Sequence, residues 1–143
     1  PYTRETIAEH VGACMAAMEV VDNRYGDIKT APVPVMIADD FFQASCVLGP
    51  DVADWRKLDL AAIHGRIVFN GCDMGSATGA EVMGHPFEAL AWLANRLAEG
   101  DRKLAAGEFV LTGSFVPVQW IGEFPTEAVV DIEGLGSISA RFA

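Results

Sequence analysis

Glu19 is the residue best placed to do chemistry, because it puts a carboxylate inside the otherwise apolar run from Ala16 to Val21. Burying an unpaired charge is costly, so this carboxylate must face water on an edge strand, pair with a cation such as Arg24, or bind a metal ion. A hard cation such as Mg²⁺ needs several oxygen ligands, usually including more than one carboxylate. The pattern by itself therefore favours an exposed edge or an ion pair over a metal site.

Two further sites carry polar groups where predicted strands end. Asp22 and Arg24 follow the Glu19 strand, where they either form a local ion pair or orient the carboxylate of a ligand. Their short spacing favours the ion pair. Gly113 and Ser114 close an apolar run, where a backbone N–H and a hydroxyl can bind an anionic group. An ordinary turn explains the same two residues.

Composition excludes several classes of function. The formal net charge of −10 repels phosphate backbones, so nucleic acid is not an expected partner. The histidines lack the spacing of a metal site, and the chain has neither a GxSxG elbow nor a phosphate-binding loop. No apolar run is long enough to span a bilayer, and the first residues do not resemble a signal peptide. We expect one cytoplasmic domain, residues 1–143, whose three cysteines are buried thiols.

The predicted elements describe an α+β domain with more strand than helix and no regular βαβ alternation. Helices are expected from a Thr3 cap to about Met15, over Val35–Ala44, and from Pro86 to a Gly100 cap. Gly71–Gly84 is expected to be a loop or a hairpin, and Asn23–Pro34 a loop. Strands are expected at Ala16–Asp22, Ser45–Leu48, Leu60–Asn70, Phe109–Leu111, Ala128–Ile132 and Ser137–Phe142.

Seven short motifs, in order along nearly the whole chain, resemble the C-terminal half of the 2-keto-4-pentenoate hydratase family, which includes 4-oxalocrotonate decarboxylases. That family belongs to the fumarylacetoacetate hydrolase superfamily. The resemblance implies a strand-rich mixed β-sheet roll with a few packed helices. The motifs are Met18–Arg24, Val47–Gly49, Asn70-Gly71, Gly84–Pro86, Ala91–Asn95, Leu111–Ser114 and Gly134–Ser137.

The resemblance also implies a chemistry. Family members use Mg²⁺ or Mn²⁺ to hold a small 2-oxo acid, and Glu19 matches one of three carboxylate ligands of that metal. Ser114 matches a strand end at the active site, so it is expected to bind substrate and take part in catalysis. Asp22 and Arg24 match the turn after the ligand and are expected to contact substrate. The implied protein is a homo-oligomeric lyase of aromatic catabolism that hydrates a 2-hydroxy-2,4-dienoate.

The chain also departs from the family pattern. The family's upstream Glu-x-Glu pair and lysine have no counterpart in these 143 residues, because the chain begins too late for them. The stretch Asp39–Phe42 replaces a small polar stretch with two aromatic residues, which would narrow or redirect a pocket. Two alternatives to a hydratase therefore stay open. One is a non-catalytic paralogue or a subunit that needs an upstream-half partner, and the other is a 2-oxo acid decarboxylase of the same family.

Overall fold

A computed structural model describes residues 1–27 and 30–143 of the chain. The helices are α1 (Arg4–Ala8), α2 (Val33–Ala38) and α3 (Pro86–Ala98). The strands are β1 (Ala17–Val21), β2 (Gln43–Leu48), β3 (His64–Phe69), β4 (Cys72–Thr78), β5 (Thr126–Ile132) and β6 (Gly136–Phe142).

The strands form two sheets, one with the order β4-β3-β5-β6 and a smaller one that pairs β1 with β2. Every ladder between these strands is antiparallel. The α+β class is therefore confirmed, but the expected mixed sheet is wrong for the strands the structure describes. Hairpin turns join β3 to β4 and β5 to β6, which dictates antiparallel neighbours. A closed roll stays a prediction.

Several predicted elements shift at their ends. The Thr3 cap is present, but α1 stops at Ala8, where the amides of His10 and Val11 bond three residues back in a tightened last turn. Helix α2 starts and ends earlier than predicted. It is followed by three residues with positive φ angles, Asp40 to Phe42, which cannot continue a right-handed helix. The predicted loop 23–34 includes residues 28 and 29, which lie outside the described residues.

One predicted strand is wrong. Phe109–Leu111 belongs to a long irregular connection between α3 and β5 and joins no ladder. By contrast, the predicted strands at β1, β2, β3, β5 and β6 are confirmed with shifted ends, and Gly71–Gly84 is largely the hairpin strand β4 and its 3₁₀ turn. None of the helices in the described ranges is long and apolar enough to cross a membrane.

Two hydrophobic clusters hold the elements together. The first packs α1 on α3 through Ile7, Phe87 and Ala91, with the Trp55 ring 5.0 Å from the Phe87 ring in an edge-on arrangement. The second lies between the two sheets and contains Ala16, Met18, Ala128, Val130, Leu135 and Ile138. Because Met18 points into this second cluster, the alternation of a strand turns its neighbour Glu19 the other way.

Gly79 is a close-packed point between the connection before β3 and the end of β4. A Cβ atom on Gly79 would lie 2.0 Å from the main-chain oxygen of Leu60, which cannot move without disturbing the backbone. We expect Gly79→Ala to lower the free energy of unfolding by about 2 kcal/mol or more. The matched control, Gly122→Ala, meets nothing within 4 Å and should stay within about 0.5 kcal/mol of the parent. Urea unfolding measures both, and equal midpoints would contradict the packing at Gly79.

His85 caps α3 with its ring, because Nδ1 accepts a hydrogen bond of 3.0 Å from the Phe87 amide. Burial, assisted by Arg4, lowers the pKa of His85 below its usual 6.5. The stabilisation from the neutral ring is therefore complete above about pH 6.5 and is lost as the pH falls towards the lower folded-state value. His85→Asn keeps a capping side chain, but one that does not titrate. We therefore expect this variant to lose less stability than the parent when the pH falls from 7.5 to 5.5. If urea unfolding showed that the parent and His85→Asn lose equal stability between pH 7.5 and pH 5.5, the role of His85 as a cap would be disproved.

Candidate functional site

Glu19 lies exposed on β1, opposite Cys46 of β2. Its carboxylate forms no hydrogen bond or ion pair with any residue of the described chain, so the possible pairing with Arg24 is wrong. Among the strands that the structure describes, β1 pairs only with β2. Glu19 is thus an unpaired anion on the wall of a cavity, where it is free to bind a cation.

Arg24 is occupied elsewhere. Its Nε and a terminal nitrogen donate to the two carboxylate oxygens of Asp39 at 3.0 and 2.9 Å, and further bonds reach the main-chain oxygens of Asp39 and Gln43. The hydrogen bond with Asp39 raises the pKa of Arg24. A planar guanidinium held in this forked geometry ties the turn after β1 to the start of β2. The favoured local ion pair with Asp22 is therefore replaced by a pair with Asp39, and Arg24 is not among the residues that line the cavity.

A left-handed turn at Asp40–Phe42 sets the position of Asp39 beside Arg24. Three successive non-glycine residues with φ between 49° and 69° cost backbone strain, which persists only where packing enforces it. Here Phe42 is buried edge-on against the Tyr25 ring, and its main-chain oxygen accepts from the Asp22 amide at 2.9 Å. The turn therefore fixes the end of β1. Neither Phe41, which is exposed, nor Phe42 lines the cavity, so the expected narrowing of the pocket by these aromatics is wrong.

Ser114 lies on the irregular connection, which three contacts press against the rest of the molecule. The Phe115 ring fills the space over Gly65 of β3, 2.8 Å from where a Cβ would be, and Val116 faces Gly75 of β4. Gly113, at φ +130°, lies against Val82. Ser114 itself is exposed, and its Oγ donates to the main-chain oxygen of Val116. Because Gly65 has no side chain, the Phe115 ring can pack against it, and this contact positions the neighbouring Ser114.

One cavity of about 1440 Å³ brings most of the predicted site together. Glu19, Asp22 and Ser114 line it, between the inner face of the large sheet and the connection that carries Ser114. Arg102 and Lys103 also line it, at the turn that ends α3. Sequence reasoning missed these two cations, because their only signal is a position just after a helix stop. The cavity is larger than the roughly 300–1,000 Å³ usual for a drug-sized ligand.

The donor set suits a divalent cation only in part. An exposed, unpaired carboxylate such as Glu19 is a suitable oxygen ligand for Mg²⁺, and Asp22 lies three residues further along the same wall. No group of three or more His, Cys, Asp or Glu side chains that could hold a metal occurs in residues 1–27 and 30–143.

Comparison with known proteins identifies the family. No protein-family model matches the chain. It is 37% identical over 143 residues to a 2-hydroxyhexa-2,4-dienoate hydratase of Comamonas testosteroni, covering 98% of this chain and 52% of the relative. It is 34% identical over 143 residues to a 2-keto-4-pentenoate hydratase of Paraburkholderia phymatum, covering 98% of this chain and 54% of that one. The chain is a homologue of one half of the hydratase and decarboxylase family predicted from its motifs.

A solved structure supports the same relationship. The 4-oxalocrotonate decarboxylase from Pseudomonas putida G7, complexed with magnesium and adipate, superposes with a TM-score of 0.75 at 34% identity. The match covers 89% of this chain and 48% of the decarboxylase. The chain thus spans about half the length of the relatives it matches, and the resemblance to this family is confirmed.

The reactivity of the Cys14 thiol tests how well the cavity wall is shielded from solvent. Burial raises the pKa of the Cys14 thiol from 9.0 to about 11, against an opposing effect of Arg56. Cys14 and Cys46 are only partly buried and Cys72 is exposed, so the expectation of three buried thiols is wrong. At pH 8 only about one Cys14 in a thousand is then a thiolate. We expect iodoacetamide to label Cys14 at least about tenfold more slowly than Cys72, and both equally in urea. Peptide mass spectrometry follows both sites, and equal rates in the native chain would show that Cys14 is not shielded.

Proposed function

We propose that the protein containing these 143 residues is a divalent-cation-dependent lyase that hydrates a 2-hydroxy-2,4-dienoate, as in meta-cleavage breakdown of aromatic rings. The observation that carries the proposal is the unpaired Glu19 carboxylate, which lines one cavity with Asp22 and Ser114. It occurs in a chain that is homologous to one half of known hydratases. A charge exposed in this way, without a protein partner, fits the binding of a cation.

Each residue has a role in this proposal. A bound Mg²⁺ or Mn²⁺ would supply stabilisation of negative charge on the 2-oxo acid. Glu19 provides one anionic oxygen ligand. Ser114 donates its hydroxyl hydrogen to Val116, so its oxygen lone pairs stay available to accept a hydrogen bond from the substrate or from the attacking water. Water adds across the diene, and the product is a 4-hydroxy-2-oxo acid.

Asp22 and Arg24 have different roles in this proposal, because the two side chains lie in different surroundings. Asp22 lines the cavity, and we assign it to substrate orientation. Arg24 was expected to contact substrate as well, but its guanidinium is held by Asp39. We therefore assign Arg24 a positioning role, since its clamp fixes the turn that carries Asp22.

A decarboxylase is the second candidate. The relative whose structure was solved with magnesium and adipate is a 4-oxalocrotonate decarboxylase, and the chain resembles it over 89% of its residues. Loss of CO₂ from a 2-oxo diacid develops the same enolate charge as hydration does, so the same ligands serve both reactions. A non-catalytic paralogue or a binding subunit without turnover is the third candidate.

Replacement of Glu19 tests the metal role. In the full natural protein, we expect Glu19→Gln to weaken Mg²⁺ binding by about tenfold or more and to lower kcat/KM by about 100-fold, because the lost anionic ligand is not replaced. Calorimetric titration measures Mg²⁺ affinity, and the decay of dienoate absorbance measures hydration. CO₂ release from 4-oxalocrotonate measures decarboxylation.

The matched control is Glu9→Gln, which makes the same charge change at an exposed residue that does not line the cavity. It should leave affinity and both rates unchanged. Activity that persists unchanged in Glu19→Gln or Glu19→Ala would refute the ligand assignment. Mg²⁺ binding without turnover of either substrate would establish the binding subunit instead.

A further inference from the structure

Two adjacent cations, Arg102 and Lys103, line the cavity without a partner. Both side chains are exposed at the turn that ends α3. Neither side chain forms an ion pair or a hydrogen bond with any residue in the ranges 1–27 and 30–143. The main chain of the turn is held, because the Arg102 amide donates to the Leu97 oxygen at 2.9 Å. The turn is therefore fixed, whereas its two charged groups are free to bind an anion.

Free cations are unexpected in this chain, because acidic residues outnumber basic ones. The sequence contains 20 Asp and Glu residues against 10 Lys and Arg residues. Most cations of the described ranges are bound, in the ion pairs Arg4–Glu5, Arg24–Asp39, Lys57–Asp54, Arg66–Asp131 and Arg96–Glu99, or by main-chain oxygens, as Arg56 is. Besides Arg102 and Lys103, only Arg141 among the described cations has no such side-chain bond. A shortage of acids therefore does not explain the two free charges.

The structure around the turn does not explain the two cations either. Glu99 forms an ion pair with Arg96, and Glu108 accepts a hydrogen bond of 2.7 Å from the Ala105 amide. Asp101, which precedes the two cations, forms no ion pair with either of them. Attraction to the dipole of a helix acts within its last turn, and the basic residue in that turn of α3 is Arg96.

Leu104 anchors the two cations at the cavity wall. It follows Lys103 directly and packs against the first hydrophobic cluster, which joins α1 to α3. The next turn is closed by the Glu108 amide, which donates to the Ala105 oxygen at 3.2 Å. Charged groups on an anchored turn lose less conformational entropy when they bind an anion than groups on a free loop do.

The cations lie on a different element from the proposed metal ligand. Glu19 is on β1, whereas Arg102 and Lys103 follow α3, and all three line one cavity of about 1440 Å³. A substrate whose oxo-acid end lies at a metal held by Glu19 directs its other end away from that strand. A carboxylate at the other end would be costly to desolvate without a countercharge. Arg and Lys provide one, and Arg can bind both carboxylate oxygens at once.

We propose that Arg102 and Lys103 bind a second carboxylate of the substrate, at the end remote from the proposed metal site. The substrate class is accordingly an unsaturated 2-hydroxy diacid rather than a dienoate with an uncharged end. This assignment rests on the proposed function, since it takes the reacting end of the substrate to lie at Glu19. The two cations form a binding site and not a catalytic group, because they act on an end of the substrate that does not react.

Two substrates with six carbons each test the assignment. They are 2-hydroxyhexa-2,4-dienedioate and 2-hydroxyhexa-2,4-dienoate, in which a methyl group replaces the second carboxylate. In the full natural protein with Mg²⁺, we expect Arg102→Gln and Lys103→Gln each to lower kcat/KM for the diacid by about tenfold. The loss should come mainly from a higher KM, and the monoacid should change by less than about twofold. Liquid chromatography measures the consumption of each diene, whether by hydration or by loss of CO₂.

Two control variants show whether charge at this place is what matters. Arg102→Lys keeps the positive charge but not the planar fork, so it should keep more of the preference for the diacid than Arg102→Gln does. Arg141→Gln removes the same charge from an exposed cation that does not line the cavity. It should leave the kinetics of both substrates unchanged.

A binding measurement separates this inference from the proposed function. Hexanedioate and hexanoate have the same chain length but lack the diene, so their calorimetric titration requires no turnover. We expect the parent protein to bind hexanedioate about tenfold or more tightly than hexanoate. The variant that carries both Arg102→Gln and Lys103→Gln should lose that difference.

Two results would overturn the inference. One is an equal loss for diacid and monoacid in the variants, because the cations would then act on the carboxylate that both substrates share. The other is a preference for the diacid that survives the removal of both charges. A preference for hexanedioate that depends on the two cations, in a protein that turns over neither diene, would uphold the dicarboxylate site and refute the proposed function. Turnover of the monoacid without any preference for a diacid would do the reverse.

Discussion

The bare backbone of Gly65 is the feature on which the rest of this site depends. The Phe115 ring lies where any side chain on Gly65 would have to be, so the connection from α3 to β5 can lie flat against the large sheet. That contact makes the connection a wall of the cavity rather than a loop in solvent. It also brings Ser114 to the same cavity as Glu19, although the two residues are far apart in the chain. Aromatic rings stacked on glycine bury much apolar area at small steric cost.

Charge is distributed around this wall in an uneven way. The Arg24 guanidinium forms an ion pair with the Asp39 carboxylate, and this pair holds the turn after β1. The Glu19 carboxylate is therefore left without a partner. An unpaired carboxylate on an exposed strand is inexpensive in water, but it becomes costly once the cavity is filled. A cation or a new partner must then accompany whatever fills it. The same geometry therefore supports the proposed metal role of Glu19.

The cavity wall offers few ligands for a metal. Glu19 and Asp22 line it, whereas a complete Mg²⁺ shell needs several oxygens. Main-chain groups remain unpaired along the connection that borders the same cavity. Catalysis by electrostatic stabilisation depends on the exclusion of water from such a cavity.

The sequence by itself determined the local elements and the ancestry of the chain. An apolar run placed Glu19 on a strand, proline and glycine placed α3, and the motifs from Met18 to Ser137 identified the family, because these signals depend only on neighbouring residues. Tertiary structure determined which acidic side chain forms an ion pair with Arg24. Arg24 took Asp39 rather than Glu19 or Asp22, since a left-handed turn that no propensity predicts brings Asp39 within reach. It also decided that Phe109–Leu111, although built from strand-forming residues, is not a strand here. A strand requires a partner at hydrogen-bonding distance, and sequence records the preference for pairing but not the presence of the partner.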